Sequence, residues 1–171
     1  QGLRSLLERQ PNWEVIGEAS TGRQAILLAK QLHPNVVILD ITMPQLNGLE
    51  ASRQIRKLLP DAEVLFVTIH DSEGAIRDAL AAGARGYIVK TEATRHIIAA
   101  VDALSKHTPF FPSAIAQMLL ESYIQADSRS ARGGSDQLKL SSREREIIQL
   151  LADGKSNKGV SAILEISVRT C

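Results

Sequence analysis

A single cysteine, Cys171, stands in a chain of 171 residues, so no internal disulfide can staple the fold and a packed core must hold it together. Long apolar runs are missing too. The longest are strand-sized, far from the roughly 20 residues a membrane helix needs, and no signal-peptide pattern opens the chain at Gln1. These absences argue against a disulfide scaffold and a membrane protein, and they suit a reducing, cytoplasmic setting. An excess of one charge is also lacking, with 20 Lys and Arg against 19 Asp and Glu and a net charge of +1. Residues 138–171 alone are basic, and their surplus is too small to argue nucleic-acid binding without a motif. What the chain does have is 44% hydrophobic composition, enough for one good core, or a core and a small second domain, and too much for disorder.

That apolar content falls into a strict alternation. An amphipathic helix over residues 1–9, with Leu3, Leu6 and Leu7 on one face, stops before Pro11. A short strand is predicted over residues 13–19, then a helix from the Ser20-Thr21-Gly22 signal to about Leu32, in which Ile26, Ala29 and Lys30 recur at helical period. Val36, Val37, Ile38 and Leu39 read as a strand buried on both faces and ending at Asp40. A helix over residues 49–58, with Ile55, Leu58 and Leu59 inward, closes at Pro60. The next strand, residues 63–67, ends at Thr68, and a helix over residues 72–82 stops at Gly83. The strand at residues 86–89 ends at Lys90, and a helix runs from about Glu92 to Ser105. Strand and helix in such turn predict an α/β fold with a doubly wound parallel sheet.

Three buried strands thereby deliver a carboxylate, a hydroxyl and an ammonium to one edge, the carboxyl end, where such sheets gather their chemistry. Asp40, Thr68 and Lys90 together suit phosphoryl transfer. Asp40 would attack phosphorus to form an acyl phosphate while cation and hydroxyl hold the equatorial oxygens. The plainer alternative is an ion pair of Asp40 with Lys90.

The segments VVILDITMPQLNG, VLFVTIH and GYIVKT resemble the receiver domain of bacterial two-component response regulators, over about residues 1–105. The resemblance implies a flavodoxin-like fold in which Asp40 is the phosphoacceptor, Thr68 the switch hydroxyl and Lys90 its charge partner. Tyr87 falls where receivers keep a mobile aromatic, and the Thr42 carbonyl would join Asp40 as a ligand of Mg2+, a hard cation suited to oxygen. Receivers also begin with a strand and an acidic pair that complete the metal site. Here the chain starts after them, so the first strand, the central one of the usual order, is expected to be missing. Its loss leaves two rows of backbone groups unpaired, at about 1 to 3 kcal/mol for each orphaned group, against a total stability of roughly 5 to 15 kcal/mol. The expectation is therefore a fragment of a longer protein, with magnesium-dependent phosphorylation weak or absent.

Residues 106–137 read as a connector: Pro109-Phe110-Phe111-Pro112 breaks the pattern, a helix follows over residues 113–125 with Ile115, Met118, Leu119 and Ser122 on one face, and residues 126–134 form a polar linker. A small all-α domain is then predicted over 138–171. Ser141 and Glu144 make a capping box for a helix burying Ile147, Ile148, Leu150 and Leu151, Ser156 caps a second helix, and Ser167 starts an incomplete third. LSSREREIIQLLADGKSNKGVSAILEISVRTC resembles the LuxR-type helix-turn-helix of the NarL/FixJ family. That resemblance implies double-stranded DNA as partner, with Lys158, Arg169 and Thr170 as groove or phosphate contacts and Ser156 and Asn157 near the backbone.

The whole then reads as a transcription regulator of a phosphorelay and not an enzyme: a histidine kinase phosphorylates Asp40, and dimerisation or release of the DNA-binding domain follows. Two alternatives stay open. A haloacid-dehalogenase-type phosphatase also sets Asp, Thr and Lys on such a sheet, but it needs a second Asp where this chain has Thr42, which leaves no leaving-group acid. A receiver-like interaction module would work without phosphate.

Overall fold

The computed structural model describes residues 2–130. In order these are α1 (Gly2–Glu8), α2 (Gly22–Leu32), β1 (Val36–Leu39), α3 (Gly48–Leu58), β2 (Glu63–Thr68), α4 (Glu73–Ala81), β3 (Gly86–Val89), a 3-10 turn (Lys90–Glu92), α5 (Ala93–Ser105) and α6 (Ser113–Ser130). The three strands form one parallel sheet in the order β1-β2-β3, with Ile38 opposite Leu65 and Phe66 opposite Tyr87. Because side chains alternate across a strand, the sheet feeds two cores. Leu39, Val64, Phe66 and Tyr87 pack with α2, α3, α4 and α6 on one face, while Leu65, Val67 and Ile88 pack with α1 and α5 on the other. Helices cover both faces, so the doubly wound reading holds.

The helix starts follow local chemistry. Thr21, Asn47 and Ser72 sit in extended backbone and accept from the N–H groups of Gln24, Glu50 and Ala75, satisfying donors that the first turn leaves free. Beyond α4, Gly83 takes φ +92, a conformation that favours glycine.

Several expectations are corrected. Residues 13–19 form no strand. A ladder requires a neighbour, and among the described residues 14–19 make no backbone pairing. They line, with residues 34–39, a groove of about 990 Å³ that runs along the unpaired edge of β1. In α2 the buried positions are Gly22, Ala25 and Ala29, and Lys30 points to solvent. Leu58 is 48% exposed rather than inward, because the buried stripe of α3 runs through Gly48, Ala51, Ser52 and Ile55 and Leu58 lies to its side. Finally, α6 continues through Ser130. Polar residues alone do not stop a helix, and no glycine or proline interrupts the chain between Pro112 and Gly133.

The connector joins the sheet as well. Phe110 bridges to Gly86 on the outer edge of β3, its N–H donating to the Arg85 carbonyl at 2.9 Å and its carbonyl accepting from the Tyr87 N–H at 3.2 Å. α6 then lies along α4, with Ile115, Leu119 and Ser122 buried. The predicted domain over 138–171, with Ser156, Asn157, Lys158, Arg169 and Thr170, lies outside the described residues.

Candidate phosphoryl-acceptor site

Asp40 follows directly on β1, Thr68 ends β2 and Lys90 follows on β3, so parallel pairing carries all three to one end of the sheet. Lys90 Nζ donates to Asp40 Oδ2 at 2.6 Å, with the two side chains 46% and 22% exposed. The other oxygen, Oδ1, accepts the Thr42 N–H at 3.2 Å. Both side chains keep some contact with solvent. Burial pushes the Asp40 carboxyl pKa up. The hydrogen bonds from Lys90, from the Thr42 N–H and from Thr68, together with the Lys90 charge, outweigh that effect and hold it below the ordinary carboxylate value. Asp40 is thus an anion at neutral pH, as a nucleophile must be.

The β1–α3 loop is shaped to keep that carboxylate in place. The Gly48 N–H donates to the Ile41 carbonyl at 3.0 Å, and a Cβ on Gly48 would stand 1.9 Å from the Asp40 carbonyl oxygen. Only glycine permits this approach. Thr68 is fully buried, and its hydroxyl accepts the His70 N–H at 3.4 Å.

His70 was not singled out in the sequence, yet it crosses the site. Its Nε2 lies 2.8 Å from Thr42 Oγ1, and its carbonyl accepts the Tyr87 hydroxyl at 2.8 Å. Tyr87 is fully buried, and burial, with the charges of Asp71 and Asp40, pushes its phenol up to about 12. It is therefore a neutral donor at every physiological pH. No periodicity flags His70; the one signal was its place two residues past a strand-end threonine.

Among the described residues, no three His, Cys, Asp or Glu side chains gather to hold a metal ion. Asp40 and the Thr42 carbonyl offer two oxygens where magnesium takes about six, so this donor set does not fit the ion by itself. No helix among the described residues is long and apolar enough to cross a membrane.

Residues 1–102 match the family described as "Response regulator receiver domain", and residues 138–171 match "Bacterial regulatory proteins, luxR family". The chain belongs to the LuxR-type response regulators. It is 36% identical over 172 residues to the transcriptional regulatory protein LiaR of Bacillus subtilis, covering 99% of this chain and 78% of that relative. The response regulator protein VraR of Staphylococcus aureus is 32% identical over 170 residues with the same coverage. A crystal structure of a LuxR-family two-component response regulator from Aurantimonas sp. superposes with a TM-score of 0.68 at 32% identity, over 72% of this chain and 88% of that one. The regulator accordingly joins a receiver to a LuxR-type DNA-binding domain, and its relatives are transcriptional regulators.

Proposed function

We propose that the regulator is switched by a phosphoryl group on Asp40, taken from a phosphohistidine of a sensor kinase, and that the switch controls transcription through residues 138–171. The observation that carries this reading is the Asp40 carboxylate at the strand edge, anionic and 2.6 Å from an exposed lysine. An Asp40 oxygen forms a bond to phosphorus as the bond from phosphorus to the imidazole nitrogen breaks, and the imidazole leaves with a proton. The product carries more negative charge than the carboxylate it replaces. Lys90 is free to swing from carboxylate to phosphoryl oxygen, and the Thr68 hydroxyl can turn from the His70 N–H to a second one. Magnesium is the cation that the receiver class uses for this step, and it needs oxygen ligands beyond Asp40 and Thr42.

On this reading the receiver spans 1–105, the connector 106–137 and the DNA-binding part 138–171, in a cytoplasmic protein that pairs when phosphorylated. Ser156, Asn157, Lys158, Arg169 and Thr170 contact DNA. The small donor set around Asp40 favours one second reading, an interaction module that works without phosphate. Treating the chain with phosphoramidate and magnesium tests both. Intact-mass spectrometry should show one phosphoryl group added slowly, absent from Asp40→Asn. Addition to Asp40→Asn, or none to the wild type, refutes the first reading, and none to the wild type favours the second.

A further inference from the structure

α2 and α3 each have 11 residues and lie side by side on one face of the sheet. Both lead into strands of a parallel sheet, so they point the same way. Their starts are level, since a Cβ on Gly22 would stand 2.2 Å from the carbonyl oxygen of Leu46, just before α3 begins. Each helix buries a stripe of mostly small residues, Gly22, Ala25 and Ala29 on α2 and Gly48, Ala51, Ser52 and Ile55 on α3. The opposite stripes face water. On α2 that stripe is Arg23, Leu27 and Lys30, spaced by four and three residues, and on α3 it is Arg53 and Lys57, four apart. Leu58 joins them from the flank. Ser52, on the other flank, donates to the Ala82 carbonyl at the end of α4 at 2.8 Å, which turns Leu58 toward α2. Leu27 is 55% and Leu58 48% exposed.

Charge of one sign gathers here, in a chain whose net charge is only +1. α2 holds no acid, and α3 holds one, Glu50, whose Oε2 lies 3.4 Å from Arg53 Nη1. Arg56 is turned away, its Nη1 donating to the Pro60 and Ala62 carbonyls at 2.6 and 2.8 Å. Elsewhere Arg4 lies 2.6 Å from Glu18, Arg77 2.9 Å from Glu73 and Lys106 2.7 Å from Asp102. Among the described residues, Arg23, Lys30 and Lys57 have no carboxylate at such a distance. Nucleic acid would satisfy these cations, but its phosphates gain nothing from covering leucine. An anionic membrane answers both only where a broad apolar face sinks among the headgroups, and the broad apolar faces of α2 and α3 already lie on the sheet. A helix with acids on either side of an apolar stripe matches cations and leucines together. We propose that the outward furrow between α2 and α3 docks an acidic amphipathic helix of a second protein, its apolar stripe over Leu27 and Leu58 and its carboxylates on Arg23, Lys30, Arg53 and Lys57. The furrow is about 16 Å long, so the contact is small and transient. The inference goes beyond the phosphoryl reading and does not depend on it.

A synthetic helix of about 14 residues, roughly four turns, with leucines at three- and four-residue spacing flanked by glutamates, tests this in an NMR titration of the whole chain. Raised to about 1 mM, the weak end for a small contact, the peptide should shift the amides of α2 and α3 and leave those of α1 and α5 in place. Lys30→Glu with Lys57→Glu should weaken it about tenfold by like-charge repulsion. Leu27→Ala with Leu58→Ala should also weaken it about tenfold, through lost apolar burial. All four side chains are exposed, so these variants keep the fold, and α5 amides at their wild-type positions verify it. No shift in α2 and α3, or undiminished binding by either double variant, overturns the proposal. Equal binding of a polyglutamate peptide without leucine overturns it as well, because the surface then collects anions of any kind. A larger shift of the same amides by duplex DNA or by phosphatidylglycerol vesicles assigns the furrow to one of those partners and overturns it too.

Discussion

Both ends of the sheet carry a carboxylate beside a cation, and the two pairs are built differently. At the amino end Glu63 opens β2 with its side chain 4% exposed, Oε2 lying 3.8 Å from Arg85 Nε and Oε1 2.9 Å from His107 Nδ1. Arg85 is nearly as buried and also donates to the His107 carbonyl at 2.7 Å. At the carboxyl end Asp40 and Lys90 are both partly in water. A buried pair cannot trade partners, because either member left alone is a charge stranded in a poor solvent. A half-exposed pair can, since water covers the exchange. Burial, more than residue type, separates a charge pair that fastens the connector from one that stays open to a new partner.

The largest effect should come from breaking the sealed end. Arg85→Met leaves the buried Glu63 carboxylate beside the exposed His107 ring, and about 3 kcal/mol of stability should be lost, read from urea denaturation. A similar loss for Lys90→Met would break the comparison. Next is Gly48→Ala, whose Cβ must displace the backbone at Asp40. We expect a cost of about 2 kcal/mol, typical of overpacking, together with a displaced Asp40 carboxyl resonance. A variant as stable as the wild type would mean that the loop can relax. The smallest effect is that of Lys90→Met, about 1 kcal/mol or less.

Lys90→Met should nevertheless raise the Asp40 carboxyl toward its ordinary value, as followed by NMR titration. The sign follows from a folded pKa held below the ordinary carboxylate value. The pair's stabilisation is complete above the unfolded value and vanishes as pH falls through the folded one. An acid-unfolding curve of Lys90→Met identical to the wild type across that window would remove Lys90 as the cause.

Much of this was legible because it rests on local rules. VVIL, EVLFVT and GYIV are short, apolar and rich in β-branched residues, and each is followed or ended by a polar side chain, so strand type, parallel order and the edge bearing Asp40, Thr68 and Lys90 could be read directly. Residues 13–19 were misread by the same rule. WEVIGEA has strand composition, but composition does not supply the neighbour that a ladder requires. Leu58 failed because a helix end can turn an apolar residue past the edge of the core, and His70 because its role arises from a loop that folds back over Thr42.

By itself, then, the sequence determined the family, the alternation of strands and helices and the residues that reach the carboxyl edge of the sheet, since periodicity and end signals act over a few neighbouring residues. The tertiary structure decided what meets what: that His70 bridges to Thr42, that Arg85 and His107 fasten the connector to Glu63, and that α6 lies on α4 beside Tyr87. Those contacts join residues 22 to 45 positions apart, and the packing of a core around them, which no local pattern encodes, sets their geometry.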